Sequence, residues 1–327
     1  MTRPSSTVLI ASVACVLVAA CGCDFESAAE LGAHLGSGEP LIEAEFTEWE
    51  EQSLAVARAE FETQIVSTSA EPATRPDQPP AELELIQYPS DVGPLWAYLT
   101  PDPGDGQRHP AILWITGGDN NSIGNVWGSR DRSNDQTAQQ FRNAGVVTMY
   151  PSQRGGNDNP SQREGFYGEV DDILAAADYL AALPYVDPDR IYLGGHSSGG
   201  LLALLTAEST ERFHAVFSLG PVSHASHYGG DLVYCDTDDD EEMGLRSPLY
   251  WRDDIRTPTL VIEGEDGNWD SIELLADENA NPLLRFYKVR GHDHWSVIAP
   301  VLEVLAPKVA AGDAFAADDP DLRKMSR

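Results

Sequence analysis

Residues 189–205 run Asp189-Arg-Ile-Tyr-Leu-Gly-Gly-His-Ser197-Ser-Gly-Gly-Leu-Leu-Ala-Leu-Leu205. Residues 191–193 are a short apolar run of the strand-forming type, whereas the leucine-rich residues 201–205 are good helix formers. Because the pattern changes between them, Gly195-His-Ser197-Ser-Gly199 is predicted to form a sharp turn from a buried strand into a helix. The stretch therefore predicts a strand, a turn that carries Ser197, and a helix.

The Gly-x-Ser-x-Gly pattern around Ser197 is typical of a turn that exposes a nucleophilic serine. Small residues are needed two positions before and after the serine, because the tight turn brings neighbouring backbones very close. The helix that follows directs free N–H groups and a partial positive charge at the site, which favours an oxyanion. Ser197 is therefore the predicted nucleophile, and the backbone N–H of Ser198 is a predicted oxyanion donor. A plain Gly/Ser loop is the alternative.

The composition of the chain limits the classes of protein to which it could belong and the partners that it could bind. Its 327 residues have room for one large α/β domain with a terminal extension. The 53 acidic and 21 basic residues give a net charge of −32, which would repel phosphate backbones and anionic lipid headgroups. Nucleic acid is therefore not an expected partner. The four cysteines show neither paired metal-ligand spacing nor a disulfide framework, and no cofactor or metal is predicted.

The first 20 residues have the pattern of an export signal. Arg3 precedes an apolar run over 8–20 that is too short to span a bilayer. The end of this run, Leu17-Val-Ala-Ala-Cys21, resembles the lipobox of bacterial lipoproteins, in which the cysteine is lipidated and becomes the mature N-terminus. We expect Cys21 to anchor an exported cell-envelope protein, and this anchor is its predicted contact with a membrane. Cleavage as an ordinary signal peptide, which would release a secreted protein, is the alternative.

The rest of the chain divides by composition. Residues 21–80 are an acidic linker with a possible amphipathic helix near 41–66, which we expect to dock on the next domain. Residues 81–310 alternate strand and helix patterns, which predicts a mostly parallel, doubly wound sheet with helices on both faces. An irregular acidic cap segment follows the sixth strand at 223–257, and 311–327 is a C-terminal tail. After export, Cys23 and Cys235 could pair.

The elements predicted within 81–310 follow from these patterns. Strands are expected at 82–88, 95–99, 111–115, 146–150, 191–193, 215–219, 259–263 and 284–289. Helices are expected at 135–143, 168–183, after Ser197, at 271–279 and at 297–305.

A serine nucleophile needs a base and an acid that orients the base, and in this fold class both follow the serine in the chain. His292 and His294 both lie between the last strand and the last helix, where a base would reach the site. His294 is the predicted base because it is next to the aromatic Trp295, and His292 is the alternative. Asp266 is the predicted acid, with Asp270 and Glu265 as alternatives after the strand at 259–263. Asp270 has a competing role as the N-cap of a capping box with Glu273.

The second oxyanion donor is predicted after the strand at 111–115. Thr116-Gly117-Gly118 follows that strand, and glycine allows the backbone to approach a developing charge closely. The N–H of Gly117 or Gly118 could serve, and Gly118 is the preferred residue beside Ser198.

Residues 81–310 resemble the catalytic domain of the prolyl oligopeptidase family and related α/β-hydrolases, which include esterases of the dienelactone-hydrolase type. The resemblance rests on Trp114-Ile-Thr-Gly-Gly118, Tyr150-Pro-Ser-Gln-Arg154-Gly, Val170-Asp-Asp172-Ile, Asp187-Pro-Asp-Arg-Ile191, Gly194-Gly-His-Ser197-Ser-Gly-Gly200 and Gly291-His-Asp-His294. It implies an α/β-hydrolase fold with Ser197 as nucleophile and His294 as base.

The chain departs from the family pattern at three positions. Thr116 replaces the loop histidine, Glu263 replaces the histidine usual before Gly264, and Gly267 stands where the family has its acid. Residues 24–80 are also too few for the propeller domain of family peptidases.

These features together predict an exported serine hydrolase that forms an acyl-enzyme on carboxylic esters or on small amides and peptides. We expect short-chain p-nitrophenyl esters to be cleaved with a higher kcat/KM than prolyl or alanyl amides. A prolyl-oligopeptidase-type serine peptidase and a non-catalytic binding protein of the same fold are the alternatives. The oligomeric state is not indicated by the sequence.

Overall fold

The computed structural model describes residues 52–69, 74–128, 130–277, 279–315 and 318–327. The predicted signal segment, Cys21, Cys23 and the first part of the helix expected near 41–66 lie outside these residues. Within them, no helix is both long and apolar enough to cross a membrane.

An eight-stranded sheet forms the centre of the described residues. Its strands are β1 (Glu84–Ser90), β2 (Gly93–Leu99), β3 (His109–Ile115), β4 (Val147–Pro151), β5 (Val186–His196), β6 (Val216–Leu219), β7 (Thr259–Gly264) and β8 (Leu284–Val289). They are ordered β1-β2-β4-β3-β5-β6-β7-β8 across the sheet. β1 and β2 form an antiparallel hairpin, β2 pairs antiparallel with β4, and the remaining pairs are parallel. The predicted mostly parallel sheet is confirmed.

The described helices lie between and after the strands. The α-helices are α1 (Leu54–Glu60), α2 (Gln139–Asn143), α3 (Glu169–Ala182), α4 (Ser198–Ser209), α5 (Asp240–Gly244), α6 (Trp269–Ala276), α7 (Ile298–Ala311) and α8 (Pro320–Met325). Short 3-10 helices occupy Arg132–Asn134, Ala225–Asp231, Pro248–Tyr250 and Arg252–Asp254. Three of these, with α5, make up much of the cap segment.

Helices cover both faces of the sheet. Since strand side chains alternate between faces, Ile112, Trp114 and Phe217 share one face, where they form a buried core with Phe141 of α2 and Leu302 of α7. α3 and α4 pack on β5 and on each other at the opposite face. The two layers bury β6 and β7 throughout, β3 from Pro110 onward and β5 from Ile191 to His196.

Two of the motifs that carry the family resemblance contact each other. Arg154, in the loop after β4, donates from Nε to a carboxylate oxygen of Asp172 on α3 at 3.0 Å, and its backbone N–H donates to the same side chain at 2.8 Å. Arg154 also donates to Glu164 at 2.8 Å. Because both partners of the Arg154–Asp172 pair are buried, each provides the counter-charge that the other needs. The pair fixes the loop after β4 against α3.

The N-terminal segment packs along the catalytic domain and its cap. α1 begins after the N-cap Ser53 and ends at Glu60, and the buried Leu54 faces α4. Beyond Glu60 the chain is extended, because its backbone bonds to the cap: Gln64 N–H donates to Glu242 at 2.6 Å and Val66 N–H to the Tyr234 carbonyl at 2.8 Å. Residues 63–67 therefore act as a strap over the cap.

Two further elements differ from the sequence-based expectations. Residues 320–325, expected in a tail, form α8, whose N-cap Asp319 accepts from the N–H groups of Asp321 and Leu322. The pair Asp319-Pro320 is a typical helix start that the sequence analysis overlooked. The predicted capping role of Asp270 is wrong, because α6 starts at Trp269 after the N-cap Asn268.

Cys235 of the predicted Cys23–Cys235 pair is a buried free thiol in the structure. Its possible partner lies outside the described residues, so the pairing stays a prediction.

The turn between β5 and α4 is packed backbone against backbone. A Cβ at Gly195 would lie 2.3 Å from the carbonyl oxygen of Gly199, and a Cβ at Gly199 would lie 2.4 Å from that of Ile115 in β3. Any side chain at these positions would force the central strands apart from α4.

We expect Gly199→Ala to lower the free energy of unfolding by about 1–3 kcal/mol, because the added methyl overpacks a site closed by backbone atoms. Urea unfolding would measure the change. The matched control is Gly124→Ala, since a Cβ at the exposed Gly124 has no heavy atom within 4 Å. Equal stability of the two variants would contradict this account of the turn.

Candidate active site

Ser197 lies on a strained turn between β5 and α4. Its backbone has φ 55° and ψ −119°, a conformation that non-glycine residues rarely adopt. The Ser197 N–H donates to the Leu219 carbonyl at the end of β6 at 2.7 Å, which helps to hold the turn. Strain of this kind persists only when the surroundings over-determine it, and it is common at catalytic residues. The predicted strand, turn and helix are all present here.

The imidazole of His294 is paired with Glu263. His294 Nδ1 lies 2.7 Å from Glu263 Oε2, and Glu263 Oε1 accepts from the Gly264 N–H at 2.6 Å. The Glu263 side chain is fully buried at the end of β7, whereas His294 is partly exposed. A buried carboxylate that accepts from Nδ1 holds the imidazole with Nε2 free to take a proton, which is the orientation that an acid gives a catalytic base.

The structure corrects the predicted acid. Asp266 is exposed, and the described residues offer its carboxylate no hydrogen-bond donor, although its backbone N–H donates to the His292 carbonyl at 3.0 Å. Asp270 is exposed on α6, and Glu265 accepts only from the Gly291 N–H, at 3.3 Å. In the part of the chain that the structure describes, none of these three candidate acids forms a hydrogen bond with His294.

The same geometry explains two departures from the family pattern. A Cβ at Gly267 would lie 2.6 Å from the Glu263 carboxylate, so glycine is needed where the family places its acid. Glu263 and Gly267 are therefore complementary changes. The carboxylate is supplied by Glu263 on the strand, and Gly267 in the turn has no side chain that would occupy the same space. The sequence alone could have indicated Glu263 as the acid. It has an extra carboxylate at Glu263, four residues before Gly267, where the acid of the family is missing.

Gly220 brings the nucleophile turn and the histidine together. It follows Leu219, which accepts from Ser197, and a Cβ at Gly220 would lie 2.6 Å from His294 Cε1 and 2.8 Å from Glu263 Oε2. The described contacts include no hydrogen bond from the Ser197 hydroxyl to His294, and such bonds are often long in free enzymes. His292, the alternative base, has no contact of its ring with a buried carboxylate among the described residues. The geometry thus favours His294.

Two backbone N–H groups are available as oxyanion donors. The Gly117 N–H is taken by Gln136 Oε1 at 2.6 Å, whereas the N–H groups of Gly118 and Ser198 have no partner among the described residues. Ser198 Oγ donates to the Gly118 carbonyl at 2.9 Å, which ties this loop to the start of α4. Nothing in the sequence indicated that Gln136 would accept from the Gly117 N–H, because no local pattern places its side chain next to residues 117–118.

Charged and polar residues join the loop that carries the predicted oxyanion donor Gly118, residues 116–119 (the oxyanion loop), to the cap. Asp119 accepts from Arg163 at 2.8 Å, and Arg163 also donates to the Tyr234 hydroxyl at 3.3 Å.

Burial lowers the pKa of His224, in the cap, to about 4. In the described part of the chain, no three His, Cys, Asp or Glu side chains are grouped closely enough to hold a metal ion. A surface groove of about 450 Å³ lies elsewhere, between α2 and α7.

Comparisons with known proteins concern the domain that contains this candidate site. Residues 132–269 match the model of the prolyl oligopeptidase family. This part of the chain is therefore similar to the prolyl oligopeptidase family. The matched residues include Ser197 and Glu263, and His294 lies beyond them. The predicted resemblance is confirmed, and with it the prediction that this domain is of the serine-hydrolase class.

Two relatives to which the chain is similar are peptidases by name. The chain is 28% identical over 190 residues to dipeptidyl-peptidase 5 of Porphyromonas gingivalis. This alignment covers 54% of this chain and 26% of that protein. It is 29% identical over 193 residues to the uncharacterized peptidase YtmA of Bacillus subtilis, covering 54% of this chain and 70% of that protein. The chain thus spans about a quarter of the first relative's length.

A solved structure shares the fold. A puromycin-hydrolyzing peptidase of Mycobacterium tuberculosis superimposes with a TM-score of 0.57 at 19% identity, over 72% of this chain and 40% of that chain. The likeness, together with the sheet order, confirms the predicted α/β-hydrolase fold.

We expect Glu263→Gln to slow the labelling of Ser197 by a fluorophosphonate on the order of ten-thousand-fold, because an amide cannot hold the imidazole in the correct tautomer as the carboxylate does. Mass spectrometry of the labelled protein would give the rate. Asp266→Asn is the matched control and should label like the unchanged protein, while Ser197→Ala should not label. A slow Asp266→Asn variant beside a fast Glu263→Gln variant would reverse the assignment of the acid.

Proposed function

We propose that this protein is a serine hydrolase that cleaves peptide or amide bonds through an acyl-enzyme, with Ser197, His294 and Glu263 as its triad. The observation that carries the proposal is the buried Glu263–His294 pair, which meets the strained turn of Ser197 at Gly220. A binding protein of this fold would have no need to bury a carboxylate against an imidazole beside a strained serine.

Each residue has a distinct part in the proposed reaction. His294 Nε2 accepts the Ser197 proton as Oγ bonds to the substrate's carbonyl carbon, and Glu263 stabilises the imidazolium that forms. The N–H groups of Gly118 and Ser198 donate to the oxyanion of the tetrahedral intermediate. His294 then gives its proton to the leaving amine as the bond to carbon breaks. A water molecule then gives a proton to His294 as its oxygen bonds to the acyl carbon, and the bond from that carbon to Ser197 Oγ breaks as His294 returns the proton to Oγ.

An amide substrate is favoured over an ester on two grounds. The relatives named above are peptidases by name, and the solved neighbour is described as a puromycin-hydrolyzing peptidase. In addition, the expected preference for esters rested partly on an imperfectly spaced acid, whereas Glu263 lies within hydrogen-bond distance of the base. Activated esters have a better leaving group than amides, so the higher kcat/KM expected on short p-nitrophenyl esters stays a prediction that is compatible with an amide as the proposed substrate.

We expect the purified protein to hydrolyse short peptide amides, and Ser197→Ala to lower that turnover by up to about a million-fold without changing the fold. A panel of short peptide amides and p-nitrophenyl esters, assayed at equal enzyme concentration, would compare kcat/KM for the two bond types. Ester turnover without amide cleavage would replace the peptidase with an esterase. Failure of the protein to label or to hydrolyse either series would leave only the non-catalytic alternative.

We also propose that the protein is exported and held at the cell envelope by lipid on Cys21, as the Leu17-Val-Ala-Ala-Cys21 pattern supports. Attached acyl chains contribute about 0.8 kcal/mol per buried CH₂, so more than one chain gives firm anchoring. The protein should partition into detergent on phase separation, and Cys21→Ser should remain in the aqueous phase. A mature N-terminus at another residue, on a protein that stays aqueous, would contradict the proposal.

A further inference from the structure

His196 lies between the nucleophile and the base. It is the last residue of β5 and is fully buried. Its ring centroid is 4.5 Å from that of His294 and 5.1 Å from that of Trp295. The residue before Ser197 therefore packs directly on the residue that would take the Ser197 proton.

The partner of His196 defines which ring nitrogen carries hydrogen. His196 Nε2 lies 2.8 Å from the backbone carbonyl oxygen of His294, and a carbonyl can only accept. Nε2 must therefore be the N–H donor. Burial and the neighbouring His294 both lower the pKa of His196 well below its ordinary value, so the ring remains neutral in this tautomer.

The other nitrogen of the ring has no partner among the described residues. Nδ1 faces Gly117, where a Cβ would lie 2.9 Å from Nδ1 and 3.0 Å from the Ser197 Cβ. A buried unpaired acceptor costs about 1–3 kcal/mol. A phenylalanine would fill similar space without this cost, so the feature that distinguishes histidine here is its single bond to the backbone of His294.

Besides the ring contacts of His196 with His294 and Trp295, that bond connects the nucleophile strand to the loop of the base. The loop at 292–296 is held internally by Asp293, whose carboxylate accepts from the N–H groups of Trp295 and Ser296. Within the described residues, no other hydrogen bond joins this loop to β5, the strand that presents Ser197.

We propose that His196 is a positioning residue for the reaction, tying the backbone of His294 to the nucleophile strand and so setting the distance between the imidazole and the Ser197 hydroxyl. The inference rests on the proposed function. A displacement of about 1 Å between reacting groups can cost 10²-fold in rate, so one backbone tie of this kind is enough to matter.

The test uses three substitutions of one residue. His196→Phe keeps a ring and removes the donor, His196→Gln can place an amide N–H near the position of Nε2, and His196→Asn places its amide nearer that of Nδ1. The readout is the saturating rate of fluorophosphonate labelling at Ser197 and, separately, the probe concentration that gives half of that rate. Thermal unfolding of each variant reports folding.

We expect His196→Phe and His196→Asn to lower the saturating labelling rate about 10²-fold while the half-saturating probe concentration stays within a few-fold. His196→Gln should recover most of the rate. An unchanged rate in His196→Phe, or equal losses in His196→Gln and His196→Asn, would overturn the proposal. If the phenylalanine variant does not fold, the glutamine and asparagine variants still give the comparison.

The controls separate this inference from the proposed function. The unchanged protein must label and Ser197→Ala must not, and failure of either result would reject the proposed function itself. When both hold, a normal labelling rate in a folded His196→Phe variant rejects only the role of His196.

Discussion

The hydrogen bond between the buried carboxylate of Glu263 and the imidazole of His294 is the constraint around which the site is arranged. A carboxylate without solvent needs donors, and Glu263 finds them in His294 and in the N–H of Gly264. The space around this pair is kept open by glycines at 220 and 267, where any Cβ would contact the carboxylate or the imidazole. The end of β6 and the turn after β7 thus require glycine because of one hydrogen-bonded pair.

A second set of close contacts supports the nucleophile. The positive φ of Ser197 is maintained because Gly195 and Gly199 allow the strand, the helix and β3 to meet through their backbones. The bond from Ser197 to Leu219 adds β6 to this group. The strained serine and the paired imidazole therefore share the carboxyl end of β6 as a common support, and His196 adds a direct link between them.

The cap segment is connected to the active-site region through hydrogen bonds of its own residues. Residues 63–67 bond to Tyr234 and Glu242 of the cap, and Tyr234 reaches the oxyanion loop through Arg163 and Asp119. Arg246, fully buried in the cap, donates to the carbonyl of Gly165 at 2.9 Å. A continuous set of polar contacts thus runs from the N-terminal segment to the residues beside the proposed oxyanion donors.

Local sequence determined much of this protein. The period change across Ser197, the apolar strands and the spacing of glycines were sufficient to predict the parallel sheet, the strand-to-helix turn and the position of His294 after the last strand, because each depends on neighbouring residues in the chain. The acid depended on something else. Glu263 at the end of β7 and Asp266 in the turn that follows are three residues apart, and which carboxylate contacts His294 depends on where β7 ends relative to a loop 31 residues away. The same holds for the role of Gln136 and for the bond of His196 to His294, since both join segments that are distant in sequence. Only the tertiary structure decided these contacts, because a side chain's partner across the sheet is set by strand register and burial, which no short pattern contains.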